Sequence, residues 1–78
     1  MDIVMTQYVV YENPKDYPGK FVVRKHFICN GIEHPVADPV PYMIEEGYSP
    51  IEDEMMRLGL YNLHRFPDDD PVIKEVWL

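Results

Sequence analysis

The stretch TQYVVYENPKDYPGKFVVRKHFI, Thr6 to Ile28, decides the fold. Its first part, Thr6 to Glu12 (TQYVVYE), is dense in β-branched and aromatic residues, which suit a pleated, half-buried surface. A polar run from Asn13 to Lys20 follows, and within it Tyr17-Pro18-Gly19-Lys20 places proline at the second turn position and glycine at the third. Proline presets φ and glycine accepts a positive φ, the requirement of a type II turn. The chain then resumes as FVVRKHFI, Phe21 to Ile28, with Phe21, Val23 and Phe27 on one face. The pattern predicts a β-hairpin closed by a long loop. Met1 to Met5 (MDIVM) precede the first strand signal, so removing Met1 to Val4 is expected to cost little stability.

Outward from the hairpin the signals thin. From Cys29 to Pro41 regularity is lost: Asn30-Gly31 marks a turn, and Pro35, Pro39 and Pro41 each remove a backbone donor. Tyr42-Met43-Ile44 fits a short strand or a helical turn equally. Ser49-Pro50-Ile51-Glu52 reads as a capping box with Ser49 at the N-cap and Glu52 at N3. It opens a helix over about Pro50 to Leu58, with Ile51, Met55 and Leu58 as one apolar stripe and Gly59 as the left-handed residue that ends it. So short a helix must lie on the sheet. Leu60 to Phe66 alternates loosely as a strand, Pro67 to Pro71 is a proline-bracketed loop, and Val72 to Leu78 (VIKEVWL) is a final strand. The expected fold is α+β: a small antiparallel sheet, built from the N-terminal hairpin and C-terminal strands, with one short helix packed on one face.

Composition narrows the function classes. The chain has 78 residues, read as a single domain, with 14 Asp+Glu against 7 Lys+Arg and a formal net charge of -7. It has no apolar run approaching the roughly 18 residues of a membrane-spanning helix, and no charged segment leading into a hydrophobic one. One cysteine, Cys29, cannot make an intramolecular disulfide, so a disulfide scaffold is excluded. The acidic balance opposes direct nucleic-acid binding, which needs a cationic footprint. A soluble cytoplasmic domain is the expectation, with no membrane partner.

The charge is segregated. Residues 1–25 carry four basic and three acidic side chains, residues 26–56 seven acids and no Lys or Arg, and residues 57–78 four acids and three bases. The whole imbalance therefore belongs to the middle segment, which can steer a basic partner or simply solubilise the domain.

Two ends of the chain, YVVYENPKDYPGKFVVR and DDDPVIKEVWL, carry a resemblance. They are similar to a group of short uncharacterised bacterial proteins that pair a YVVYxNPxDYPGKFVVR hairpin with a DDPVIxEVW C-terminal strand. The similarity covers about half the chain. It implies a bacterial context and no particular activity. Lys74 departs from the apolar residue expected in that strand, which leaves open whether the strand is an edge.

Candidate chemistry is sparse. His26, Cys29 and His34 form an H-x2-C-x4-H run of metal-type donors, and with His64 they are the residues of a metal- or small-ligand-binding reading, enzymatic or not. Three ligands fall short of a structural zinc set, however, and strand alternation turns His26 and Cys29 to opposite faces, away from any Cys/His catalytic pairing. Asp68-Asp69-Asp70 lacks calcium-loop spacing, and the first-turn acids Glu52, Asp53 and Glu54 are explained by the helix dipole. The four glycines are isolated, so no phosphate loop is present. No catalytic or metal set emerges, and no cofactor is expected.

Recognition remains as the leading expectation: a small acidic, non-enzymatic module that binds a protein partner or forms a homodimer. The partner-facing candidates are Arg24, Glu75 and Trp77 on the sheet, with Arg24 and Glu75 as a cross-strand pair if their strands are neighbours, and the acids Glu45, Glu46, Glu52 and Asp53. Trp77 has a second reading, as core, because so small a domain needs its apolar area. An inhibitor that mimics DNA is a further reading; it requires the acids between Glu33 and Glu54 to form one continuous exposed row.

Overall fold

Strand β1, Ile3–Glu12, and strand β2, Phe21–Cys29, pair antiparallel over nearly their whole length. This computed structural model describes residues 2–65 and 71–78. The connection between the two strands is built as its sequence requires. Lys20 N–H donates to Tyr17 O at 3.2 Å, Gly19 takes a φ of +74°, and Gly19 N–H donates to Asn13 Oδ1 at 2.7 Å. The side chain of Asn13 thus fills the inside of the loop that Pro18-Gly19 turns.

The strand begins earlier than expected. β1 starts at Ile3, paired with Cys29, and Asn30 N–H donates to Asp2 O at 3.0 Å. A bulge between Ile3 and Met5 interrupts the register there. Ile3, Val4 and Met5 therefore belong to the first strand instead of preceding it, because β2 is long enough to give that strand partners.

Four further strands and one helix complete the molecule: β3 (Val36–Ala37), β4 (Met43–Glu45), α1 (Ser49–Arg57), β5 (Asn62–His64) and β6 (Ile73–Trp77). All pairings are antiparallel, in the order β3-β2-β1-β6-β5, with β4 also on the outer edge of β2. The α+β architecture is the expected one, a single antiparallel sheet with a short helix. Of Tyr42-Met43-Ile44, Met43 and Ile44 resolve as strand, with Val22 opposite Ile44 and Tyr42 just before it. The stretch from Cys29 to Pro41 is more regular than its prolines suggest, since Val36 and Ala37 pair with Phe27 and His26 between Pro35 and Pro39. Leu60 to Phe66 contains β5. Met1 and residues 66–70, which include the three consecutive aspartates, lie outside the described residues.

The helix covers one face of the sheet. Val10 and Val23 stand opposite each other on β1 and β2, fully buried, and Ile51 and Met55 of α1 pack on them beside Trp77. Leu58 adds the third residue of the stripe, and Gly59 at φ +75° ends the helix. Its start differs from the capping box. Tyr48 is the N-cap, and no side chain caps the helix there. Ser49 already lies within the helix, and the carbonyl of Tyr48 accepts from Ile51 N–H at 2.9 Å and Glu52 N–H at 3.2 Å.

What positions Tyr48 is Glu75. This residue is 5 % exposed, in the middle of β6 and on the helix side of the sheet. A buried carboxylate is costly unless its oxygens find donors. Here Tyr48 Oη–H and Trp77 Nε1–H (3.0 Å) donate to Oε1, and Asn62 Nδ2–H donates to Oε2 at 2.7 Å. Three elements are thereby tied to one side chain: the entry to α1, strand β5 and the core tryptophan. Lys74, the departure from the expected apolar pattern, sits where the β1–β6 register slips between Val10 and Tyr11, with its ammonium 5.1 Å from the Tyr48 ring. The strand that carries it is flanked by β1 and β5 and is not an edge.

Replacing Glu75 with glutamine keeps the shape but turns an NH2 group toward a donor. Urea unfolding of Glu75→Gln is expected to show a loss of about 1–3 kcal/mol, the usual consequence of a buried, mispaired polar group. An unchanged midpoint would mean that the three hydrogen bonds contribute nothing net.

Candidate interaction surface

The structure separates the residues that sequence reasoning grouped together. Arg24 lies opposite Val9, and Glu75 lies opposite Val10, so alternation puts them on opposite faces. Their strands are not neighbours either, since β1 runs between β2 and β6. The anticipated cross-strand pair is absent. Arg24 instead donates from Nη2 to Asp16 Oδ2 at 2.8 Å and from Nη1 to Pro39 O at 2.9 Å, clamping the hairpin loop and the β3–β4 connection to the face away from the helix. Trp77 is 5 % exposed and belongs to the core, the second of its two readings. Glu75 and Trp77 therefore hold the fold together and offer no surface to a partner.

The acids of the middle segment fall into two groups. Glu46 accepts from Lys20 Nζ at 2.6 Å, which holds its carboxyl below the usual range. Glu54 is gripped by Arg57 through two 2.7 Å hydrogen bonds and by Tyr42 Oη–H at 2.6 Å; the Arg57 contact first, then Tyr42, brings its pKa down to about 2. Glu45, Glu52 and Asp53 have no ion-pair partner among the described residues; Glu52 and Asp53 are exposed on the helix and Glu45 is half-buried. Lys20 and Arg57 thus offset the charge of Glu46 and Glu54, while Glu45, Glu52 and Asp53 keep theirs uncompensated among the described residues.

The metal-type donors do not converge. His26 faces away from the helix, Cys29 is buried on the other side of the same strand, His34 lies in an exposed loop, and His64 sits at φ 61° on β5. Among the described residues no group of three His, Cys, Asp or Glu side chains is arranged to hold a metal ion. His26 has a different role: its Nε2 is 3.0 Å from Tyr11 Oη on the neighbouring strand. Burial, and secondarily the Arg24 guanidinium, press its pKa below 6.5.

Two features escaped the sequence reading. A groove of about 640 Å³ opens beside the hairpin loop, and Tyr11, Pro14, Val22, Val72 and the Arg24–Asp16 pair are among the residues that line it. The other lies on β1. β6 pairs only with Tyr8 to Tyr11, whereas β1 runs back to Ile3. On that side the first half of β1 has no strand beside it among the described residues, and Ile3, Val4 and Met5 are 56 %, 60 % and 41 % exposed. Glu12 N–H donates toward β6, to Val72 O, and alternation along the regular register gives the backbone groups of Thr6 the same direction, beyond the end of β6. The sequence signal was the apolar Ile3-Val4-Met5 run itself. Comparison with protein-family models, curated proteins and solved structures finds no match.

The depressed pKa of His26 gives stability a signed pH dependence. The unfolded chain binds the proton more readily, so this contribution is complete above about pH 6.5 and declines as pH falls below it. Thermal melts should show the midpoint dropping from pH 7.5 to 5.5, with a smaller drop in His26→Gln. Equal drops in both proteins would assign the sensitivity to other groups.

Proposed function

We propose that the chain is a small, non-enzymatic protein-interaction module of the bacterial cytoplasm, and that its recognition element is the open edge of β1. The observation that carries this reading is the mismatch between a ten-residue β1 and a five-residue β6. Among the described residues it leaves the outward backbone groups of Thr6 with no strand beside them, next to three exposed apolar side chains. Proteins ordinarily blunt such an edge with lysine or proline, and Ile3 to Tyr11 contains neither. Extended segments bind edges of this kind by adding a strand, with main-chain hydrogen bonds for affinity and alternate side chains for selectivity.

The bacterial setting rests on the resemblance of the two chain ends. The unpaired acids Glu45, Glu52 and Asp53 favour a neutral or basic partner and disfavour nucleic acid. A second reading, binding of a small ligand, is favoured by the groove that Val22 and Tyr11 help to line; its size suits a small molecule. The edge is preferred because the groove's charged pair, Arg24 and Asp16, already satisfies itself.

Affinity capture with the tagged chain from a lysate of its native host tests the reading, run beside Val4→Lys, which puts a charge on the edge at a position remote from the core. The wild-type chain should retain a stoichiometric protein, its own untagged form included, that the variant loses. Retention of nothing, or equal retention by both, contradicts it.

A further inference from the structure

The geometry points to a second copy of this chain as the occupant of the β1 edge: two β1 strands pair antiparallel about a two-fold axis near Val4 to Thr6, joining two sheets into one. This deepens the proposed function and rests on it. A two-fold contact requires one surface to complement itself, and an antiparallel strand edge does so by construction, since donors and acceptors lie on the same side of each outward-facing residue.

The charge distribution leaves this edge open to the same occupant. Two copies that each carry a net charge of -7 repel wherever acids meet, and Ile3 to Tyr11 has no Asp, Glu, Lys or Arg. The acids Glu45 and Glu46 sit at and just after β4, on the outer side of β2. The open side of β1 faces the opposite way, so two inter-strand spacings, about 10 Å, separate it from β4. Approach along β1 therefore joins the copies over an uncharged stretch of strand. It also places Ile3, Val4 and Met5 of one copy against those of the other.

The size of the contact sets its strength. Only five residues of β1, Ile3 to Gln7, precede its pairing with β6, and the bulge between Ile3 and Met5 shortens the regular part further. So small an interface gives a reversible dimer that follows concentration, in the class of weak contacts. Closure around the two-fold axis uses up the edge, so assembly stops at two.

Analytical ultracentrifugation of the full chain over a micromolar-to-millimolar concentration series tests this, with Val4→Lys and Thr6→Pro alongside. Proline at position 6 removes the outward N–H and leaves the β2 ladder its own bonds. Far-UV circular dichroism identifies a variant that fails to fold, and Val4→Lys, at an exposed side chain, carries the test if Thr6→Pro does. The wild-type mass should rise from monomer toward twice that value, while folded variants stay monomeric at every concentration. A wild-type chain that is monomeric throughout, a dimer that both variants retain, or assembly beyond two copies would overturn self-pairing. A monomeric chain that still captures another protein, in a manner lost in Val4→Lys, would overturn self-pairing alone and leave the interaction function standing.

Discussion

The carboxylate of Glu75 is the constraint around which the rest of the molecule is arranged. It lies on the face that α1 covers, where an unpartnered acid would oppose folding, and its oxygens are met by Tyr48, Trp77 and Asn62. Each donor comes with an element. Tyr48 fixes where α1 starts, and Ile51 and Met55 then reach Val10 and Val23. Asn62 fixes β5 against β6, and Trp77 closes the end of the core. Burial and the Glu75 contact hold the Tyr48 hydroxyl in its protonated, donating form, since both raise its pKa. A core with so few fully buried side chains gains its uniqueness from such a polar node as much as from apolar area.

The open edge comes from strand lengths. β6 spans Ile73 to Trp77 and pairs with β1 only from Tyr8 to Tyr11. β1 is governed by a different partner, the nine-residue β2, and follows it back to Ile3. Two strands of unequal length beside one another must leave part of the longer one without a neighbour. In this chain that part, Ile3 to Gln7, is uncharged and free of proline, and Ile3, Val4 and Met5 in it are exposed.

How far this was legible depends on the range of the interaction. The hairpin turn, the Ile51–Met55–Leu58 stripe and the Gly59 stop are local patterns, and each stands where its residues place it. The start of β1 was not readable, because Ile3, Val4 and Met5 owe their strand to partners more than twenty residues away. Val36 and Ala37 pair only because the edge of β2 is there to receive them. Ser49 has the chemistry of a cap, yet Tyr48 takes the place because its hydroxyl is committed to a residue 27 positions distant. Grouping Arg24 with Glu75 needed the strand order, which alternation alone does not supply. The exposure of Glu52 and Asp53 follows from helical periodicity, whereas the pairing of Glu46 with Lys20 spans 26 positions and leaves no local trace.

The central claim is that β1 has one half sealed by β6 and one half available to a second strand. Hydrogen exchange at two amides of that strand examines it directly: Tyr8, paired with Trp77, and Thr6, one pleat beyond the end of β6. The account predicts that Tyr8 is protected at every protein concentration, while Thr6 exchanges freely in dilute solution and becomes protected as concentration rises. Protection of Thr6 independent of concentration, or free exchange even in concentrated solution, would contradict it.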